Sequence, residues 1–357
     1  MRLLNLGLEN FRNLAAAQLP AEGADVYLVG ANAQGKTNLL EAASLVSALR
    51  SFRTADMKAL PRYGQARTRL FFRIEHELEG ETEVLIELGL GHKQVEVGGA
   101  PVPRLADFLG RFPAVVLSSA DIQLLRAGPA GRRRWLDLTL ASRDPDYFRA
   151  LTRYTRALRD RNRLLKERAA PAALAAFEAP LAESGAVLIS ARRRELAVLG
   201  EQFAGHHAEL AGGVDEPALV YRPSRAWESS EAAAESLAQQ RERDIAVGTT
   251  SGGPHRDDLG LTVGGRLARE YGSEGQQRSL VLALKLAEVD YLAAGNRPRP
   301  ILLADDVLGE LDAQRSAAFW RSLDPATQLI ATGTRKPESE ARSWRYFQVE
   351  AGTLRPA

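Results

Sequence analysis

The stretch "GANAQGKT", Gly30 to Thr37, fits the spacing G-x-x-x-x-G-K-[ST]. That spacing builds a phosphate cradle. Gly30 and Gly35 let the backbone curl, so that the N–H groups of Ala31, Asn32, Ala33 and Gln34 point inward at phosphate oxygens. Lys36 brings a point charge to the outer phosphates, Thr37 offers its hydroxyl to Mg²⁺, and Asn38 follows on the first helical turn. Ala33 stands where glycine is common in such loops, and a negative φ there would make alanine inexpensive. A second chemical stretch is "RPILLADDVLGELD", residues 299–312. Asp305 is placed to hold Mg²⁺ through water. Asp306 is placed to polarise an attacking water, one methylene shorter than the commoner glutamate. Lys36 and Asp306 are therefore the catalytic candidates, and Thr37 and Asp305 the metal candidates. A third stretch, "YGSEGQQRSL" (271–280), sets Ser273 and Gly275 at a helix start, where a hydroxyl and free N–H groups offer a second anion site.

These residues need particular elements behind them. Val26 to Val29 is a short apolar run suited to a buried strand, and Leu39, Leu40, Ala43, Val46 and Leu49 recur at helical spacing after the phosphate loop. Strand before and helix after separate the loop from a chance match. Ile301 to Ala304 is a second buried-strand run, expected parallel to the first, which delivers Asp305 and Asp306 beside the loop. Alone, two aspartates read as a strand end and a cap; with the phosphate loop they read as a Walker B pair. Leu280, Val281, Leu284, Ala287, Val289 and Leu292 make the stretch after Ser273 a helix. Asp312, in "GELD", falls on a turn where it could brace a second subunit.

The chain has 357 residues, 45% hydrophobic and 26% charged, enough for two or three lobes of ordinary globular composition. It has no cysteine, which excludes disulfides and thiolate metal sites. "MRLLNLGLENFRNL" alternates as a strand rather than a signal peptide, and no uninterrupted apolar run approaches membrane length, so a cytoplasmic protein with no membrane contact is expected. The net charge is +2, yet Arg126 to Arg168 holds thirteen Lys/Arg against five Asp/Glu. Such a segment fits either a polyanion contact or a solvated helix face. Tyr147 to Arg168 reads as one helix, with Leu151, Leu158 and Leu165 seven residues apart. A second helix follows Pro171, so the pair forms an antiparallel arm. Arg149, Arg153, Arg156 and Arg163 lie along one stripe, and Arg132, Arg133 and Arg134 cluster upstream. Stripe and cluster make a plausible DNA-backbone footprint; internal ion pairing and simple solubility are the alternatives. Residues 228–242 read as an exposed helix, and His206 and His207 as surface residues of the arm.

The order of phosphate loop, "SEGQQ", "LLADD" and "GELD" resembles the ATP-binding-cassette ATPases. With "NFRNL" (10–14), "RSFRT" (50–54), "GPAGRRRWLD" (128–137) and "GPHRDDL" (253–259), the chain resembles from end to end the RecF family of recombination mediators. That resemblance implies an α/β fold: an ATP-binding-cassette head of two lobes with an inserted antiparallel helical arm. The expected division is 1–125 for the first part of the head, 126–245 for the arm and basic segment, and 246–357 for the second part of the head. The resemblance implies ATP and Mg²⁺ as cofactors, with Arg12 and Asn13 facing the nucleotide. Gln123 is placed as a lobe-linking glutamine, with a surface role as the alternative. Ser273 would close on the γ-phosphate of an ATP held by a second copy, giving an ATP-driven homodimer. Thr334, in "QLIATGTRK", stands where transporter members carry a switch histidine, which implies slow hydrolysis; the resemblance implies a DNA-dependent ATPase. DNA near gaps and RecR are the implied partners, with roles in recombinational repair, recombinase loading, replication and the SOS response. A chromosome-tethering head is the alternative, and the short arm argues against it. A transporter motor and a nuclease fit the residues less well.

Overall fold

The computed structural model describes residues 1–357 except 90, 214 and 338–341. The chain divides into two units. The first comprises Met1–Asp121, His206–Gly213 and Val281–Ala357; the second comprises Ile122–Gly205 and Val214–Leu280.

Two sheets enclose a helix in the first unit. One is antiparallel: β1 (Arg2–Phe11), β2 (Leu14–Leu19), β4 (Arg67–His76), β5 (Gly80–Gly89), β6 (His92–Val97) and β7 (Ala100–Pro101), in the order β2-β1-β4-β5-β6-β7. Its alternation is plain in β4, where Thr68, Leu70, Phe72 and Ile74 are buried and Arg67, Arg69, Phe71 and Arg73 are exposed, as a sheet wet on one face requires. The other sheet contains β3 (Asp25–Val29), β8 (Ala114–Ser118), β12 (Ile301–Asp305), β13 (Leu329–Gly333), β14 (Trp344–Glu350) and β15 (Thr353–Pro356), in the order β15-β14-β3-β13-β12-β8. All its pairings are parallel except that of β15. Its central strands are unbroken apolar runs, because both faces are covered. Helix α1 (Lys36–Ala48) packs on β8, β12 and β13 of this sheet and on β1 of the other. Ten of its residues are buried, which explains why it is apolar nearly all round. Leu6, Leu28, Leu40, Leu45, Phe72, Ile86 and Leu303 belong to one continuous core.

The strand carrying the phosphate loop and the strand carrying the aspartates are parallel, as expected, but they are not neighbours. Strand β13 lies between them. Asp305 aligns with Thr332, Thr332 with Leu28 and Gly333 with Val29, so the carboxyl ends of three strands finish together. Open parallel sheets bind ligands at that edge.

The second unit holds α2 (Gln123–Arg126), α3 (Pro129–Arg143), α4 (Pro145–Lys166), most of α5 (Pro171–Ala211), α6 (Ser230–Val247) and α7 (Ala268–Tyr271), with a sheet of β9 (Pro217–Arg222), β10 (Asp258–Val263) and β11 (Arg266–Leu267). Helix α8 (Glu274–Ala293) begins in this unit, and α9 (Ala313–Ser322) belongs to the first. Helices α4 and α5 run antiparallel: Tyr147 bonds Arg192, Arg153 bonds Glu183 and Arg161 bonds Glu178. The Arg161 guanidinium is fully buried and also meets Asp244 of α6 at 2.7 Å and Thr250 at 2.8 Å. This network corrects the reading of residues 228–242 as simply exposed, because α6 buries Ala233, Leu237 and Asp244. Helix α5 is apolar and long enough to cross a bilayer by composition. It nonetheless carries Glu178 between Arg161 and Arg241, and buries Leu174, Leu181 and Leu188, the pattern of a packed helix. The histidines also differ from expectation. His207 is fully buried, and His206 Nε2 lies 2.7 Å from Asp290 Oδ2, within the first unit.

Candidate nucleotide site

Gly30 directly follows β3, and its lack of a Cβ answers a close approach: an added Cβ would collide with the Val349 carbonyl oxygen. Gly35 has φ 108°, open to glycine and strained for other residues. Ala33 has φ 65°, so the condition under which alanine is inexpensive there is not met. An alanine held there costs about 1 kcal/mol, so the loop is strained where a glycine would not be. Gln34 turns its side chain away from the cradle, accepting from Ala351 N at 2.7 Å, while its carbonyl accepts from Gly352 N at 3.0 Å. The β14–β15 turn thereby props the loop from behind. Lys36 Nζ donates to the Gly30 and Ala31 carbonyls at 2.7 and 3.0 Å, and Ala31, Asn32 and Ala33 are exposed.

The carboxylates meet this loop. Thr37 Oγ1 donates to Asp305 Oδ1 at 2.9 Å across 268 residues of sequence. Burial pushes the Asp305 carboxyl up, with the neighbouring Asp306 adding to the rise; the hydroxyls of Thr332 and Thr37 oppose it. A half-buried carboxylate facing a hydroxyl is a pair of hard oxygen donors, and it fits Mg²⁺, which takes one or two protein ligands and completes its shell with water and phosphate. Among the described residues there is no cluster of three or more His, Cys, Asp or Glu for a softer metal. Asp306 follows at φ 59°, a left-handed conformation that turns it out of the strand. Tyr27, buried on β3, is raised to about 12 by burial and then by the charge of Asp306.

Thr332 was not among the sequence candidates. Its hydroxyl donates to Asp305 Oδ1 at 2.9 Å and accepts from Asp306 N at 2.9 Å, so one side chain holds both aspartates. Thr334, two residues on, is exposed and past the end of β13. The usable signal was the short apolar run of "QLIATGT", a buried strand that ends at residues 332–333.

Arg12 and Asn13 lie against α1, and Asn13 also approaches Gly35 of the phosphate loop. The Arg12 guanidinium forks onto the buried Glu41 carboxylate at 3.0 and 2.6 Å and donates to the Ala59 carbonyl at 2.9 Å. Arg53 joins the same carboxylate at 3.2 Å and Asn38 Oδ1 at 2.7 Å, and Asn38 Nδ2 donates to Asn13 Oδ1 at 2.6 Å. Three Arg12 donors thus tie Glu41 of α1 to the chain at Ala59, and Glu41 in turn holds Ser51 and Arg53 of the "RSFRT" segment.

In the second unit, Ser273 caps α8. Its Oγ accepts from Gln276 N at 3.2 Å, and Gln276 Oε1 accepts from Ser273 N at 2.9 Å, a reciprocal capping box. Gln276 Nε2 is held by Asp215 at 2.9 Å. The Ser273 hydroxyl is exposed and keeps its own hydrogen to donate. Gly275 follows in the first turn. Gln123 opens α2 and is exposed.

The arginine cluster does not form one surface. Arg132 is buried: its guanidinium forks onto Asp258 at 2.8 and 3.0 Å and donates to the Ala127 carbonyl at 2.7 Å. Arg133 is half-buried and donates to the Asp257 carbonyl at 2.7 Å. Of the three, only Arg134 is exposed. These contacts correct the reading of all three as DNA contacts, because the Arg132 guanidinium is buried on Asp258 and Arg133 is half-buried on the Asp257 carbonyl. On the stripe, Arg149 pairs with Asp146 and Arg153 with Glu183, while Arg156 and Arg163 are exposed. The partners Asp257 and Asp258 come from "GPHRDDL". In that segment His255 Nε2 faces the Thr250 carbonyl at 3.0 Å, and Nδ1 faces the Tyr154 hydroxyl at 2.6 Å. Burial lowers His255 to about 4. The segment is a buried structural hub of its unit.

A scan against protein-family models finds no match. Among curated proteins, the chain is 37% identical over its whole length to the DNA replication and repair protein RecF of Synechococcus sp. (strain JA-2-3B'a(2-13)), covering 98% of that protein. It is 40% identical over 94% of its length to the protein of the same name from Myxococcus xanthus (strain DK1622), covering 91% of it. Among solved structures, the recombination mediator protein RecF with ATP superposes with a TM-score of 0.92 at 30% identity, over 100% of this chain and 97% of that one. An Smc head bound to the C-terminal winged-helix domain of ScpA matches at TM-score 0.58 and 14% identity, a likeness of fold alone. The α/β fold is therefore of the ATP-binding-cassette head type.

Proposed function

The chain belongs to the RecF family, and from that premise we propose that it is an ATP-dependent DNA-binding recombination mediator that dimerises on ATP. The observation that carries the nucleotide reading is the 2.9 Å bond from Thr37 to Asp305, which joins two motifs far apart in sequence at one strand edge. ATP lies along Gly30–Asn38, with Lys36 on its outer phosphates. Thr37 and Asp305 would hold Mg²⁺, which neutralises phosphate charge when bound. Asp306 takes the proton of the attacking water. Its short side chain, and Thr334 in the switch position, fit slow hydrolysis in which ATP acts chiefly as a dimerisation signal. Ser273 and Gly275 complete the site on a second copy, the Ser273 hydroxyl donating to that copy's γ-phosphate. Gln123 is the candidate link between nucleotide and second lobe.

DNA is the polyanionic partner. With Arg132 and Arg133 committed internally, the footprint rests on Arg134, Arg156 and Arg163, with Arg149 and Arg153 at its border. The names of the relatives support a role in DNA replication and repair and in the RecFOR pathway. Within it we place recombinase loading near gaps, RecR as partner, support of the SOS response, DNA-dependent slow hydrolysis and a cytoplasmic location. Asp306→Asn tests the chemistry. It keeps the shape and loses the accepting charge, so it should bind ATP, hydrolyse it far more slowly and persist as a dimer. Hydrolysis at the parental rate would refute the assignment.

A further inference from the structure

The hairpin of β14 and β15 reaches the phosphate loop because of strand order. β14 pairs in parallel with β3, with Gln348 opposite Val29, so its last residues run on beside the loop that leaves β3. Glu350 pairs with Thr353, which leaves a two-residue turn of Ala351 and Gly352, with φ 46° and 79°. Both central residues are left-handed, as a type I′ hairpin turn requires. The ladder does not use their N–H groups, and one residue takes both. Gln34 accepts from Ala351 N through its side-chain Oε1 at 2.7 Å and from Gly352 N through its carbonyl at 3.0 Å. Buried Leu14 lies against both partners: an added Cβ would come within 3.1 Å of its Cδ2 at Gly35 and 2.9 Å at Gly352.

The residue before Gln34 is strained. Ala33, at φ 65°, holds a conformation that costs an alanine and not a glycine. Of the four residues between Gly30 and Gly35, Ala31, Asn32 and Ala33 are exposed and Gln34 is half-buried, so packing holds the loop at Gln34. A strained position persists where its surroundings fix it, and the fixed neighbour here is Gln34. We propose that Gln34 is a positioning residue of the nucleotide site: latched to the β14–β15 turn, it holds the phosphate loop in its phosphate-binding form against the strain at Ala33. ATP then meets a cradle already shaped, and its affinity depends on a turn behind that cradle. The proposal deepens the nucleotide reading above and rests on it.

The test compares Mg²⁺-ATP with Mg²⁺-tripolyphosphate, which has the phosphates and no base. Gln34→Met keeps the length of the side chain and removes the accepting oxygen. With the latch loosened, the strain at Ala33 leaves roughly a fifth of the loops in the phosphate-binding form, so the Kd for ATP should rise about fivefold. The tripolyphosphate Kd should rise by the same factor, because the cradle holds phosphates. Gly352→Ala, strained at φ 79° and crowded by Leu14, loosens the latch from the hairpin side and should raise both Kd values as well. Ala33→Gly removes the strain, and in that background Gln34→Met should change either Kd by less than about twofold. Parental affinity in Gln34→Met or in Gly352→Ala overturns the proposal, as does weakening confined to ATP. Equal weakening by Gln34→Met in the Ala33 and Gly-substituted backgrounds also overturns it, since Gln34 would then act by some route other than the strain. Lys36→Ala is the control: it should lose both ligands. Undiminished ATP binding by Lys36→Ala would overturn the phosphate-loop reading itself, whereas its loss beside a parental Gln34→Met sinks this proposal alone.

Discussion

Arg132→Ala separates the internal role of the arginine cluster from its DNA role. The parent guanidinium makes two bonds to Asp258 and others to carbonyls of Leu124 and Ala127, with its side chain 4% exposed. Truncation leaves a half-buried carboxylate facing an empty space, and leaves two carbonyls without their donor. Removing one partner of such a pair costs about 3 kcal/mol, here at the low end because Asp258 is 29% exposed. Urea denaturation of the second unit, followed by tryptophan fluorescence, should show that loss. Arg134→Ala makes the paired control: stability within about 0.5 kcal/mol of the parent, with a shallower salt dependence of DNA binding because one fewer counterion is released. The double mutant Arg132→Met with Asp258→Leu should recover much of the lost stability, since the charge and its partner leave together. Arg132→Ala with parental stability and weakened DNA binding would refute the internal assignment.

Thr332→Val keeps the shape and removes the hydroxyl shared by Asp305 and Asp306; kcat for ATP should fall about tenfold or more with the ATP Kd nearly unchanged, and an equal loss in both would mean the hydroxyl only stabilises the strand. Ala33→Gly should raise stability by about 1 kcal/mol in calorimetry, and a destabilised variant would contradict the left-handed geometry. His255 sets an acid limit. Its folded value of about 4 lies below the unfolded value of 6.5, so the unfolded chain takes the proton first. Stability is complete above about pH 6.5 and should fall by about 3 kcal/mol as the pH drops to 4. His255→Gln should flatten that limb of the profile.

The phosphate loop, its strand and its helix were legible because eight consecutive residues carry the pattern and apolar periodicity flanks them. Asp305 and Asp306 were legible for the same reason, as was the cap at Ser273. What escaped depends on pairings distant in sequence. Thr332 reaches the aspartates only because β13 is inserted between β3 and β12, an order that local periodicity does not carry. Arg132 looked like its neighbours Arg133 and Arg134, since its partner Asp258 is 126 residues away. His206 and His207 sat on a helix with weak amphipathicity, and the Asp290 that meets His206 is 84 residues away. The left-handed conformation of Ala33 is one that its residue type does not announce.

Sedimentation of the parent and of Ser273→Arg, each with ATP, ADP and no nucleotide, tests the composite-site account most directly. The parent should dimerise with ATP alone. Ser273→Arg should bind one ATP per chain with parental affinity, because Lys36, Thr37 and Asp305 are untouched, and yet remain a monomer. A Ser273→Arg protein that dimerises on ATP as the parent does would contradict the account and reduce Ser273 to the cap of its own helix.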